Sequence, residues 1–296
     1  MKDYLVRGIV ESKNCRVFAC QTTNLLEEAR AKHGLWPTAS AALGRVMSAT
    51  LMMAAMNKNN EKMTITINGG GPIGTILATT HSDGKIKAFV ANPEVHYTYN
   101  DTGKLAVGVA VGKEGSLQVI KDMGLKEPFV GTVPLQSGEI GDDFSYYFMA
   151  SEQIPSVVSV GVLVNDTNEI LSSGGFIIQL LPNATDEDIQ FIEERMKDFP
   201  PVSALIHEGK TPEDILKVIF EDVEISLRYS NGDDVTDNVT INTYSLKYYL
   251  SNGIGLVLEM DSETLKKVND RGLVLNIKCN DGKAYADAVV NLYDGE

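Results

Sequence analysis

The spacing of apolar and polar positions along this chain changes several times, and each change marks an element. Alternation in VRGIV and again in RVFAC predicts two strands joined through Ser12-Lys13-Asn14. Thr23 and Asn24 are placed to cap a short helix, LLEEARAKH, which stops at Gly34. A second helix follows Pro37 and Thr38 and runs through Leu43, Met47, Leu51 and Met52 to Met56. Apolar residues fall on nearly every side of it, so it is expected to be buried on most faces.

Strands are predicted over 63–68, 73–80 and 86–92, the last after a Ser-Asp-Gly turn at 82–84. A strand over 129–135 and a helix over 142–152 follow. Then comes a hairpin whose strands, 157–164 and 169–180, flank Asn165-Asp166-Thr167-Asn168. Strands and helices mixed at these lengths give an α+β class with antiparallel or mixed sheets covered by helices, not a doubly wound parallel sheet.

At 182 the pattern changes. Pro182 ends the strand, and Thr185 with Asp188 makes a capping-box start. Ile189, Ile192, Met196 and Phe199 share one face of the helix that follows, and Pro200-Pro201 stops it. VSALIHEG reads as a short turn ending at Gly209. Thr211-Pro212 opens a third helix with Ile215, Leu216, Ile219 and Phe220 inward. These striped helices carry too little mass to bury their own apolar faces, so they must lie on something. From Ile225 the segments ISLRY, VTINTYSLKYYL, IGLVLEM, LVLNIKC and AYADAVVNLY read as strands, with one helix over 263–269 capped by Ser262. The expected organisation is a core at 1–181, a helical linker at 182–224 and a strand-rich carboxy-terminal unit at 225–296.

Charge sharpens this division. The 296 residues carry a net charge of -14, of which residues 181–224 hold -8, with 4 basic and 12 acidic side chains. So acidic a chain is a poor partner for a phosphate backbone, so no nucleic acid is expected. The amino-terminal MKDYLVRGIVESKN lacks a signal-peptide apolar region, and the longest apolar run, 46–56, is too short for a bilayer. No membrane partner is expected, and the cytoplasm is the expected compartment.

Candidate chemistry is sparse. Gly69-Gly70-Gly71-Pro72 has no lysine placed as a phosphate loop requires and reads as a tight turn. His33, His81, His96 and His207 are scattered without metal-ligand spacing, and G-x-S-x-G does not occur. Asp142-Asp143 opens a helix, where capping suffices. Met47, Met52, Met53 and Met56 fit a core filler or an adaptable binding surface. Cys15 and Cys20 lie on one strand, roughly 17 Å apart at about 3.3 Å per residue and on opposite faces, so they are expected as free thiols. Nothing here points to an enzyme.

HGLWPTASAALGR at 33–45, NGGGPIG at 68–74, ANPEV at 91–95, SGEIGDDFSYYF at 137–148, SEQIPSVVSVGVLV at 151–164 and GGFIIQLLP at 174–182 resemble, in order and spacing, the motifs of the Hsp33 family. The resemblance spans roughly residues 4 to 220. It implies an ATP-independent holding chaperone: a core of two sheets with buried helices, a linker across its apolar face, and a small domain clamping the linker. Unfolded proteins are the implied partners, and a homodimer the implied assembly. The resemblance also implies zinc on four cysteines in C-x-C and C-x-x-C pairs, whose oxidation releases the metal and melts the linker. This chain has only Cys279 in that region, so no zinc cofactor is expected. A structural zinc contributes on the order of 10–16 kcal/mol to folding such a domain, so a tail without it must cohere by apolar burial. Two other readings stand beside this one: an adaptor with a single dedicated partner, and redox control through a Cys279–Cys279 bridge between subunits. The client-binding and linker candidates are Ile189, Ile192, Met196, Phe199, Ile215, Leu216, Ile219 and Phe220.

Overall fold

The computed structural model describes residues 2–57, 61–81, 84–124, 126–221, 223 and 225, together with the backbone of short strands beyond them. The predicted helix over 263–269, its cap Ser262, and Cys279 lie outside the described residues, as do Ser82 and Asp83 of the predicted turn.

Strands β1 (Tyr4–Val10) and β2 (Cys15–Gln21) form the expected hairpin. Its turn closes on Asn14, held at φ 44°, a left-handed conformation that asparagine tolerates. β2 pairs on its other side with β9 (Ile170–Leu180), which pairs with β8 (Ser156–Val164). On the far side of β1 lies β10 (Ser226–Ser230), followed by β11 (Thr236–Asn238). The result is a six-stranded antiparallel sheet in the order β11-β10-β1-β2-β9-β8. The segment ISLRY therefore adds a strand to the sheet that the amino terminus begins.

A second antiparallel sheet has the order β5-β4-β3-β6-β7, from β3 (Lys62–Asn68), β4 (Ile76–His81), β5 (Ile86–Val90), β6 (Ser116–Asp122) and β7 (Phe129–Pro134). The sequence reading has no strand at β6, although Leu117 and Val119 alternate there. So short a run becomes a strand only by pairing with β3. The predicted strand over 73–80 starts later, at Ile76, because the glycine run is in use elsewhere. A side chain at Gly69 would meet the Gly112 carbonyl oxygen at 2.2 Å, and one at Gly71 the Ala110 oxygen at 2.4 Å. Gly71 and Ile73 instead donate their N–H groups to Val111 and Ala110, at the end of the short α3 (Val107–Val111). These glycines serve close backbone approach.

Helix α2 (Pro37–Ala54) lies between the sheets and is buried along almost its whole length. Small residues let the layers close: at Gly44 a Cβ would stand 2.3 Å from Leu26 Cδ2. Two of its buried hydroxyls are paired, with Thr50 donating to the Val46 carbonyl and Ser48 bonded to Thr22, while the Ser40 hydroxyl is buried without a partner among the described residues. Met47, Met52 and Met53 are core side chains. Helix α1 (Thr23–His33) is not capped by Thr23 or Asn24 as expected. The Asp3 carboxylate accepts from the Leu25 and Asn24 amides at 2.6 and 3.2 Å, a long-range cap invisible to local spacing. α4 (Gly141–Tyr147) opens as expected: buried Asp143 accepts from the backbone N–H of Gln136, Ser137 and Ile140. That set of bonds holds Ile140 at φ 73°. The remainder of the helix predicted over 142–152 is a π-turn (Phe148–Glu152).

Candidate functional site: an apolar sheet face under a helical lid

Strand β2 is apolar on both faces. Phe18 and Cys20 point between the sheets, while Cys15, Val17 and Ala19 point outward. A strand open to water on one side alternates apolar with polar residues, so two apolar faces require two covers. The inner cover is α2. The outward face is continued by Val6 and Val10 of β1 and by Phe176 and Ile178 of β9. It is covered by α5 (Asp186–Lys197), α6 (Val202–His207) and α7 (Pro212–Ile219).

Five of the candidates meet there. Ile192, Ile215, Leu216, Ile219 and Phe220 are buried against the sheet, the last four completely. Met196 and Phe199 pack at the margin, with the Phe199 ring edge-on to Phe176 at 5.3 Å. Ile189 does not join them, being 37% exposed. At about 100° per residue Ile189 and Phe191 lie on opposite flanks of Ile192, so only one can turn inward. Phe191 wins. It stacks on Phe220 at 6.1 Å, and Lys13 Nζ stands 4.4 Å from its ring centre. Val202, Leu205 and Ile206 are also buried under the lid. The sequence reading missed them because VSALIHEG is a helix, not a turn. Their i, i+3, i+4 spacing was the signal.

Among the described residues, four hydrogen bonds at the lid's margins fasten it. Asn14 Nδ2 donates to Asp188 Oδ2 at 2.9 Å, and the Asn14 carbonyl accepts from Leu181 N–H at 2.7 Å. The Tyr4 hydroxyl donates to Glu213 Oε2 at 2.5 Å, and the Ser172 hydroxyl to the Ser203 carbonyl at 2.7 Å. The Thr185/Asp188 capping box forms as expected, and Thr211 caps the third helix as expected, in a box whose other half, Asp214, the sequence reading did not name. Each fully buried aliphatic or aromatic side chain contributes about 1.5–3 kcal/mol. Ordering the lid costs roughly 1–2 kcal/mol per residue in backbone entropy alone. The lid is thus held chiefly by apolar burial against one sheet face, while the layer between the sheets has two sheets to hold it.

Two features of the seat are testable. Gly161 of β8 faces α6, and a Cβ there would stand 3.0 Å from Val202 Cγ1 and 3.1 Å from the Ser203 amide. Gly161→Ala is expected to cost the closed lid about 1–3 kcal/mol by overpacking. Bis-ANS binding should then begin at a lower temperature, with the main thermal transition moved less. The Asp188 carboxyl titrates below its ordinary 3.8, held down first by the Thr185 amide and then by Asn14. A depressed carboxyl stabilises the closed form above its unfolded value, and this is lost as pH falls through the folded value. Asp188→Asn should therefore loosen the lid at neutral pH, with its difference from wild type shrinking below about pH 3.8. Bis-ANS titration across pH reads this.

The thiols are buried apart. Burial pushes both Cys15 and Cys20 up to about 12. With nearby Asp188 adding to the effect at Cys15, neither is poised as a thiolate nucleophile. Lying on opposite faces of β2, they cannot join one ligand set, so this chain's cysteines do not fit a four-thiolate zinc site. Among the described residues no cluster of three or more His, Cys, Asp or Glu side chains is placed to hold a metal. Also among the described residues, no helix is long and apolar enough to cross a membrane.

The family model described as "Hsp33 protein" matches residues 3–236. The chain belongs to the Hsp33 family. The 33 kDa chaperonin of Bacillus subtilis (strain 168) is 52% identical over 218 residues, covering 74% of this chain and 75% of the relative. That of Staphylococcus epidermidis (strain ATCC 35984) is 50% identical over 230 residues, 78% of each chain. The solved 33 kDa chaperonin (heat shock protein 33 homolog) of Thermotoga maritima superposes with a TM-score of 0.70 at 35% identity, over 76% of this chain and 78% of that one. The Hsp33 match thus takes in the core, the whole lid and β10, and ends at the first residue of β11.

Proposed function

We propose that this Hsp33-family chain is an ATP-independent holding chaperone whose client surface is the outward face of the six-stranded sheet, uncovered when α5 to α7 lift. The observation that carries the reading is the two-sided apolarity of β2. One face is locked between the sheets, while the other lies under helices held mainly by the burial of Ile215, Leu216, Ile219 and Phe220. The family and the names of its relatives support a chaperone. The glycine run, used for packing against residues 110–112, supports action without a nucleotide. The buried carboxylate at the α4 turn is engaged in capping, so no catalytic step is assigned. A homodimer in the cytoplasm belongs to this reading on the family resemblance alone.

The reading also includes control without a zinc–thiolate switch, supported by three cysteines of which two are buried in the core on opposite faces of a strand. Suppression of thermal aggregation of a model client is expected under reducing, metal-free conditions, beginning at the temperature where bis-ANS binding rises. Aggregation that proceeds unchecked above that temperature would sink the proposal. Suppression that appears only after peroxide treatment, and is lost in Cys279→Ser, would move control to that thiol.

A further inference from the structure

β5 is one of the two edge strands of the five-stranded sheet, and α1 runs beside its outer edge. Between them lies a groove of about 410 Å³, with Leu25, Ala29, Met47, Ile86 and Ala88 as its apolar lining. Past Leu25 and Glu28 it continues into a second hollow of about 390 Å³ against Leu5, Leu51 and Ala54. None of these residues lies beneath the lid.

The hydrogen-bond phase of β5 is fixed. Ala91 N–H donates to the Thr75 carbonyl at 2.8 Å, and the antiparallel register continues with Leu77 opposite Phe89 and Thr79 opposite Lys87. Backbone groups in such a ladder face the neighbour at every second residue. Phe89 and Lys87 therefore turn theirs to β4, while Ala88 and Ile86 turn theirs to the groove. Among the described residues no backbone group bonds Ala88 or Ile86 from that side. An unpaired edge beside an apolar wall is complementary to an extended backbone carrying apolar side chains. The cationic groups at the groove, Lys32 and Lys87, favour acidic side chains on that segment, although Lys32 already pairs with Glu28. A second copy is a poor occupant. Two antiparallel β5 strands paired about Ile86 would bring Lys85 of one against Lys87 of the other, and a parallel pair in register would set each lysine against its own counterpart.

We infer that this groove takes an extended, apolar and acidic stretch of non-native polypeptide as an added strand on β5, and that it does so with the lid closed. The inference rests on the reading that this chain holds non-native polypeptide, but not on lid opening.

The test uses the full chain at a temperature where Cys15 does not react with iodoacetamide. The probe is a short fluorescein-labelled peptide of alternating Val and Glu, with a Val–Lys peptide as the charge-reversed control, read by fluorescence anisotropy. The Val–Glu peptide is expected to bind and the Val–Lys peptide to bind more weakly. Ala88→Pro removes an outward N–H at an edge position where proline is tolerated, and should weaken binding about tenfold. Lys87→Glu, a surface change that leaves the fold unchallenged, should reverse the preference between the two peptides. Binding that ignores Lys87→Glu in the folded protein overturns the inference. So does binding that appears only once Cys15 becomes reactive, which would place the peptide under the lid. Peptide binding without any suppression of client aggregation upholds this site while the lid reading falls.

Discussion

Leu216→Asp should produce a protein that binds bis-ANS and suppresses client aggregation at ordinary temperature while its core stays folded. Leu216 is completely buried between α7 and the outward sheet face. Truncating such a residue to alanine costs about 2–5 kcal/mol. A carboxylate adds the penalty of an unpaired charge in an apolar layer, so the closed lid cannot be retained. The core has its own reporter. The single tryptophan, Trp36, precedes α2, away from the lid, and its backbone N–H donates to the Pro93 carbonyl. Its fluorescence should stay native in Leu216→Asp and change only at the main thermal transition. If Trp36 fluorescence collapses together with the gain in bis-ANS binding, lid and core are one cooperative unit, and the mechanism of uncovering fails.

The second large effect is expected at a thiol. Cys15 lies under the lid and Cys20 between the sheets, both buried and both pushed up to about 12 from an ordinary 9.0. Since the thiolate is the reactive species, a fall back to the ordinary value alone raises its neutral-pH population about a thousandfold. Iodoacetamide should therefore modify Cys15 about a thousandfold faster in Leu216→Asp than in the closed protein, while Cys20 remains slow. The measurement is peptide-resolved mass spectrometry in a Cys279→Ser background. Equal rates at Cys15 and Cys20 would mean that the sheet itself opens. The same shifts make a prediction in alkali. A thiol raised in the folded state stabilises it fully below 9.0, and this is lost as pH climbs toward 12. The lid should accordingly loosen over that window, and Cys15→Ala should flatten its part of the decline.

Much of this arrangement was readable from short-range pattern, and what was missed depends on distant partners. The paired faces of β2 follow from CRVFAC alone, and α7 from Thr211-Pro212 with its stripe. Asp143 as a cap was legible because the backbone N–H groups that donate to it lie within seven residues of it in sequence. Asp3 capping α1 was not, because it reaches across from β1's approach. Ile189 was misplaced because helical spacing defines a stripe but not which flank rolls inward. That choice was made by Phe220 and Lys13, one from another helix and one from the hairpin turn. α6 was lost for a different reason. Pro200-Pro201 and Gly209 bracket so short a stretch that the breakers outweighed the periodicity.

The covering helices leave the six-stranded sheet from β9 and return to it through β10, so they form a strap tied at both ends to one rigid frame. A strap of that kind, once sprung, stays within reach of its seat. Loop-closure entropy grows only slowly with length, so refastening is a local search whose speed does not depend on how many molecules are present. A passenger sitting on the bared surface would then compete with a tethered rival that never diffuses away, and cooling alone would suffice to evict it.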